Sequence, residues 1–261
     1  MSLAQQSPME FSGENTTRSP NRSRTLVVMA KAPRPGRVKT RLAQSLPVEA
    51  VTELYRCLLG DTMVLARSFD SSGDSSGDTV EVAIMCPASD VEELTRLTQG
   101  QGAVGVVAQN GEGLAAGLTS VFAHFAVHGP QRVVAFNSDS PHLPASVLGS
   151  AFEALDGHDL VVGPTHDGGY YLVGAKAAHP ALFEGDGMGT ESALEALLAR
   201  ARGLQLSVGF TDPFYDIDVE GDLTRLAGEL RLAPDRAPRT AAWLEQWEQA
   251  VARLRTGTGD L

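Results

Sequence analysis

Between Lys31 and Arg41 the chain reads KAPRPGRVKTR, placing five cations (Lys31, Arg34, Arg37, Lys39 and Arg41) on a loop with two prolines and one glycine, Gly36. The loop follows a short apolar run, Leu26 to Met29. Arg and Lys side chains on a Pro/Gly-shaped loop suit phosphate oxygens, because a rigid backbone and guanidinium forks match their geometry. The alternative is a solvated basic loop. Gly36-Arg37-Val38-Lys39-Thr40 superficially matches the end of a Walker A loop, but that motif needs glycine directly before the lysine, and Val38 stands there. A P-loop kinase or ATPase is therefore not expected.

The acids that could answer these cations come later. Asp139, in Asn137-Ser138-Asp139-Ser140-Pro141, ends an apolar stretch. A carboxylate there suits a Mg²⁺ or Mn²⁺ ion that also bridges nucleotide phosphates, since magnesium takes only one or two protein carboxylates. Its other reading is the N-cap of a helix starting near Pro144. Asp216 and Asp218 alternate in Tyr215-Asp216-Ile217-Asp218, so in an extended segment both face one way with Ile217 behind. Asp218 is the preferred second metal ligand and Asp216 a third. Asp222 falls in the first turn of the next helix, where a carboxylate is favourable. In Thr165-His166-Asp167-Gly168-Gly169-Tyr170-Tyr171, Asp167 and His166 could touch an acceptor and Tyr170 or Tyr171 stack on one. The glycine pair allows close backbone approach or simply a tight turn.

These motifs need a frame that holds them together. Helical periodicity covers Pro47–Arg67, a segment opening near Ser89, Leu114–Val127, Pro144–Leu155, Thr190–Arg202, Val219–Leu232 and Ala237–Arg255. Strands are expected at Thr79–Met85, Val104–Ala108, Arg132–Phe136, Leu160–Gly163, Tyr170–Val173 and Leu204–Val208, besides the first run. The alternation implies βαβ units in a mostly parallel sheet with helices on both faces. Such sheets bind ligands beyond the carboxyl ends of their strands, which is where the motifs fall. Residues 1–24 read as a disordered tail without the apolar core of a secretory signal; 25–261 read as one domain, interrupted by the polar loop Ser71–Asp78.

A net charge of −11 argues against nucleic acid and anionic membrane as partners; an acidic body around one basic loop fits a small anionic ligand. No run approaches the roughly 20 apolar residues of a membrane span. Cys57 and Cys86 make neither a CxxC pair nor a metal cluster, in keeping with a reducing cytoplasm. His142 and the other scattered histidines read as surface or core residues. Trp243 and Trp247, four apart on the last helix, read as packing against the domain or a second copy of the chain.

Taken together, AKAPRPGRVKTRL, NSDSPHLP, GPTHDGGYYLVGA and YDIDVEGDL resemble a bacterial family of glycosyltransferase-A-type proteins, selenium-domain-associated transferase-like, over roughly residues 25–230. That family is more distantly similar to the phospholactate and molybdenum-cofactor guanylyltransferases. The resemblance implies an α/β, Rossmann-like nucleotide-diphospho-sugar transferase (GT-A) fold that binds a nucleotide and Mg²⁺. Carried over, Lys39 would hold donor phosphates with Lys31, Arg34, Gly36, Arg37, Arg41 and Gln109, while Asp139 and Asp218 would hold the metal. The family commonly shows Gln-Gly-x-x-Asp-Leu-Gly-x-Arg, whereas this chain has Gln109-Asn110-Gly111-Glu112-Gly113-Leu114-Ala115-Ala116-Gly117, lacking that acid and that arginine.

The expected activity is transfer of a nucleotidyl group from a nucleoside triphosphate to a phosphate or phosphonate acceptor. Lys39, Asp139 and Asp167 would be catalytic, and Asp167, Gly168, Gly169 and Tyr170 would face the acceptor. Cation density favours a triphosphate, and Ser140-Pro141 follows Asp139 where a sugar transferase's Asp-x-Asp would place a second acid. Glycosyl transfer from a nucleotide-sugar is the alternative, and a nucleotide-binding protein without turnover the third.

Overall fold

The computed structural model describes residues 24–71, 80–100, 104–126, 131–185 and 192–257. The tail expected over 1–24 lies outside them except for Arg24, which already belongs to the first strand, and so does nearly all of the polar loop after Ser71.

Seven strands form one sheet: β1 (Arg24–Met29), β2 (Val80–Cys86), β3 (Gly105–Ala108), β4 (Arg132–Asn137), β5 (Leu160–Pro164), β6 (Tyr170–Ala175) and β7 (Val208–Phe210), in the order β3-β2-β1-β4-β6-β5-β7. β6 alone runs against its neighbours, β4 and β5; every other pairing is parallel. The helices are α1 (Val48–Ser71), α2 (Val91–Thr98), α3 (Gly113–Phe125), α4 (Ala145–Gly157), α5 (Ala193–Gly203), α6 (Glu220–Leu232) and α7 (Pro238–Gly257).

Period-2 alternation in β1 sorts the core. Leu26 and Val28 face α1, α2 and α4, packing on Leu59, Met63, Leu94, Leu148 and Phe152. Val27 faces the other way, onto Leu118, Val121 and Phe122 of α3 and Leu197 of α5. A third cluster joins the outer side of α1 (Val51, Leu54, Tyr55 and Leu58) to Ile217, α6 and α7. Helix α1 is thus apolar on two sides, one against the sheet and one beneath the late helices.

One expected element is displaced. A strand at Leu204–Val208 overlaps the observed β7 only at Val208. The preceding residues instead close α5: Leu206 N–H donates to the Ala201 carbonyl and Gln205 N–H to that of Arg202, with Gln205 at φ 57°. This left-handed termination consumes backbone groups that a strand would have offered to β5. Hydrophobic periodicity does not see it.

Because β1, β2, β3 and β4 are parallel, the segments following them emerge at one edge of the sheet, joined there by the start of antiparallel β6. Met29 is in register with both Met85 and Asn137. Residues one or two steps beyond these positions therefore meet over that edge.

Candidate functional site

At this edge lies an open cleft of about 510 Å³, lined on one side by Lys31, Arg37, Lys39 and Arg41 and on the other by Asp139, Asp216 and Asp218. The basic loop turns at Pro35-Gly36, where Arg37 N–H donates to the Arg34 carbonyl (3.1 Å) and Gly36 takes φ 69°. Proline followed by a positive-φ glycine is the chemistry of a type II turn. Lys39 also adopts φ 47°, rare for a residue with a side chain and held only where surroundings impose it. What imposes it is visible: Val38 and Leu42 insert into the third core cluster on either side.

The Lys39 side chain is 3% exposed, and its ammonium lies 2.9 Å from Asp139 Oδ2 and 3.4 Å from Asp218 Oδ1. Burial by itself would lower its pKa, but the carboxylates of Asp139, Asp218 and Asp216 outweigh burial and hold it above the ordinary lysine value. Arg41, exposed at the rim, pairs with Asp218 Oδ2 at 2.9 Å. Two segments far apart in sequence are joined here: Ile217 N–H donates to the Asp139 carbonyl (3.1 Å), and Ser140 Oγ donates to the Tyr215 carbonyl (2.9 Å). Asp222 Oδ2 accepts the N–H groups of Asp218 and Val219, closing the first turn of α6 and fixing the direction of Asp218. The carboxyl of Asp216 is pushed up to about 6, first by burial and further by Asp139 and Asp218, against the pull of Lys39.

Not every cation of the loop faces the cleft. Arg34 bonds Glu93 and Asp90 (2.9 Å each) and the Ser89 carbonyl (2.9 Å), fastening the loop to the start of α2, while Asp90 also accepts the Ala32 N–H (2.9 Å). Gln109 does line the cleft, its Nε2 donating to the carbonyls of Gly111 (2.9 Å) and Gly113 (3.3 Å). Gly117 matters for that position: a Cβ there would stand 2.8 Å from Met29 Cε and 2.9 Å from Gln109 Oε1.

In the Thr165–Tyr170 motif, Tyr170 lines the cleft. Its neighbours serve the turn. Asp167 Oδ1 accepts the Thr165 hydroxyl (2.5 Å) and the Gly169 N–H (3.3 Å), and the Thr165 bond above all holds this carboxyl below the usual carboxylate range. Gly168 takes φ 87°, and a Cβ on Gly169 would stand 2.9 Å from Thr165 Oγ1. Asp167 and His166 are exposed and outside the residues that line the cleft.

One contributor carries no sequence signal of its own. Tyr55, from the middle of α1, reaches the cleft wall, its hydroxyl 2.9 Å from Ser138 Oγ and accepting the Lys31 N–H at 3.1 Å. Burial raises its pKa strongly, with Asp139 adding to it. Tyr55 and Ser138 are 83 positions apart, and within α1 Tyr55 reads as one more core residue.

Among the described residues no group of three or more His, Cys, Asp or Glu side chains is poised as a metal cage. What the chain does gather is two hard oxygen donors, Asp139 and Asp218, on a single ammonium. A buried cation already shared by two carboxylates fits a divalent ion that takes one or two protein carboxylates and completes its shell from water and phosphate.

Residues 75–190 match DUF2064, a family described as an uncharacterized protein conserved in bacteria. The matched segment contains the Asp139 and Asp167 motifs and leaves the basic loop and the Asp216–Asp218 segment outside it. No curated protein matches the chain. Among solved structures, a candidate nucleotide-diphospho-sugar transferase from Desulfovibrio desulfuricans aligns with a TM-score of 0.76 at 24% identity, over 88% of this chain and 97% of that one. The bifunctional IspDF from Campylobacter jejuni aligns with a TM-score of 0.50 at 10% identity, over 78% of this chain and 54% of that one. A Mycobacterium tuberculosis protein solved as a complex with manganese gives a TM-score of 0.47 at 20% identity, over 79% and 98%. The first alignment, nearly end to end, shows the nucleotide-diphospho-sugar transferase fold expected from the motifs.

Proposed function

We propose that this chain is a divalent-metal-dependent transferase that uses a nucleotide donor, and that it transfers a nucleotidyl group from a nucleoside triphosphate to a phosphate- or phosphonate-bearing small molecule. The observation that carries the reading is the two-sided cleft: Lys31, Arg37, Lys39 and Arg41 face Asp139, Asp216 and Asp218 across the carboxyl edge of the sheet. Lys31 and Arg37 are exposed, and among the described residues neither side chain has an ion pair, so their charge is available to an incoming polyanion.

In this reading the acceptor oxygen bonds to the α-phosphorus, the bond from that phosphorus to the bridging β-oxygen breaks, and pyrophosphate leaves with the electron pair. Lys31, Arg37 and Arg41 bind the β- and γ-phosphates. Lys39 turns from the carboxylates toward the phosphate oxygens as charge develops there. Asp139 and Asp218, with Asp216 behind them, would hold Mg²⁺ or Mn²⁺, which when bound neutralises phosphate charge. Arg34 anchors the loop and Tyr170 bounds the acceptor side. Asp167 spends its carboxylate on Thr165 and Gly169, so its part is to shape the turn below Tyr170 rather than to take a proton. Positioning and charge neutralisation are the main resources of phosphoryl-group enzymes, and no covalent intermediate is needed.

Glycosyl transfer from a nucleotide-sugar is the second reading, supported by the description of the Desulfovibrio desulfuricans structure. Incubation with Mg²⁺, each of the four common nucleoside triphosphates and a panel of phosphorylated acceptors should release pyrophosphate, and Asp139→Ala should abolish that release. Nucleoside diphosphate release from a nucleotide-sugar would establish the second reading instead. Nucleotide binding with no turnover in either assay would leave a binding protein.

A further inference from the structure

Tyr55 is a phenol, 3% exposed, standing where helix α1, the basic loop and the segment after β4 converge. Its oxygen accepts the Lys31 N–H and lies within hydrogen-bond distance of Ser138 Oγ. The protons can be placed by inventory. Asp139 Oδ1, 3.4 Å from Ser138 Oγ, accepts, because an ionised carboxylate has nothing to donate. The single proton of Ser138 therefore goes to Asp139, and the proton between Tyr55 and Ser138 must come from Tyr55. A chain of donors runs one way: Lys31 N–H to Tyr55, Tyr55 O–H to Ser138, Ser138 O–H to Asp139 Oδ1.

The same helix holds Ser138 a second time. Two turns beyond Tyr55, the buried Thr62 hydroxyl lies 2.9 Å from the Leu58 carbonyl of its own helix and 3.2 Å from the Ser138 carbonyl, so its one proton is shared between them. With Oδ1 of Asp139 so occupied, its other oxygen, Oδ2, faces Lys39 Nζ at 2.9 Å. One oxygen of the carboxylate thus faces Ser138 while the other faces Lys39.

We propose that Tyr55 is a positioning residue: through Ser138 it sets the rotation of the Asp139 carboxylate toward the cation site, and through the Lys31 amide it holds the phosphate-facing loop in register with that carboxylate. The inference rests on the metal-dependent reading above. Outer partners of metal-ligating carboxylates typically matter by about 10- to 100-fold in metal affinity, and this relay belongs with them although none of its members except Asp139 would touch the ion.

The test is Mn²⁺ binding to the full chain, followed by electron paramagnetic resonance of the free ion. Tyr55→Phe keeps the ring and removes the hydroxyl; Ser138→Ala cuts the relay one step later, so either variant serves if the other does not fold. Each should weaken Mn²⁺ about tenfold, and the double variant should be no weaker than the single ones by more than about twofold, because residues acting in one network are not additive. Asp61→Ala, a destabilising change on the same helix away from the cleft, should leave Mn²⁺ affinity unchanged and so separates positioning from loss of stability. Wild-type binding with unaltered affinity in both variants, or losses that add, would overturn the relay while leaving the metal site standing. Mn²⁺ binding absent from the wild type, with Asp139→Ala indistinguishable from it, would remove the metal-dependent reading and this inference with it.

Discussion

Lys39 combines a left-handed backbone with a buried ammonium shared by Asp139 and Asp218. A side chain in that place competes with any divalent cation for the same oxygens. Lys39→Met should therefore tighten Mn²⁺ binding to the nucleotide-free protein several-fold while weakening tripolyphosphate, both readable by calorimetry. An unchanged Mn²⁺ affinity would mean that the ammonium and the metal do not share a place. Asp216 gives a pH signature. Its carboxyl, near 6 in the fold because of burial, holds its proton more tightly than the same group in the unfolded chain. The stability it contributes is thus present below about pH 4 and lost as pH rises through about 6. Asp216→Asn should stabilise the metal-free protein by roughly 2 kcal/mol at pH 7.5 and by little at pH 4, as measured by urea unfolding. At this scale the sequence was most legible for charged residues placed just after apolar runs. It was least legible for Tyr55 and Ser138, whose roles depend on a partner 83 positions away, and for Arg34, whose charge is directed to α2 rather than to the cleft.

At the scale of elements, the connection between β4 and α4 and the segment before α6 act as one unit, and His142 is its buried seam. The ring is fully enclosed, with centroids 4.8 Å from Phe214 and 4.7 Å from Tyr215. Among the described residues neither of its nitrogens has a hydrogen-bond partner, and Glu229, Arg225 and Arg236 are the charged groups that face it. Burial lowers its pKa to about 4, with Arg236 and Arg225 adding to the effect and Glu229 opposing it. A histidine depressed in the fold leaves stability intact above about 6.5 and removes it as pH falls toward 4. Between pH 7.5 and 4.5 the wild type should lose roughly 2 kcal/mol through this residue, and His142→Phe should remove that part of the loss. Equal pH slopes for the two proteins would show that the seam tolerates charge. Among the described residues, periodicity located the seven α-helices to within a few residues, because amphipathic faces are written locally. It misplaced the last strand, because the left-handed turn at Gln205 was decided by how α5 ends against its own carbonyls.

At the scale of the whole molecule, α1 ties the sheet to the late helices. Asp61, 2% exposed on α1, accepts the N–H groups of Arg239 (3.2 Å) and Thr240 (2.8 Å) and the Thr240 hydroxyl (2.8 Å), closing the first turn of α7 from outside it. Removing it leaves buried donors unpaired, at a cost of about 2–3 kcal/mol. Asp61→Ala should lower the urea midpoint accordingly and leave the kinetic constants of the folded protein unchanged; an altered KM would connect α7 to the cleft. Trp243 and Trp247 stack on each other, centroids 5.6 Å apart, and pack on the same cluster, so their helical spacing was a packing signal within the chain. The acidic body, the alternation of strands and helices, and a basic loop after the first strand followed by acids after later ones are properties of the sequence alone, because charge and periodicity act over a few residues. Which of those charges meet was settled by the fold. The Lys39 ammonium reaches Asp139 and Asp218 across 100 and 179 positions, and only strand order, register and the packing of α1 bring such distant groups within hydrogen-bond distance.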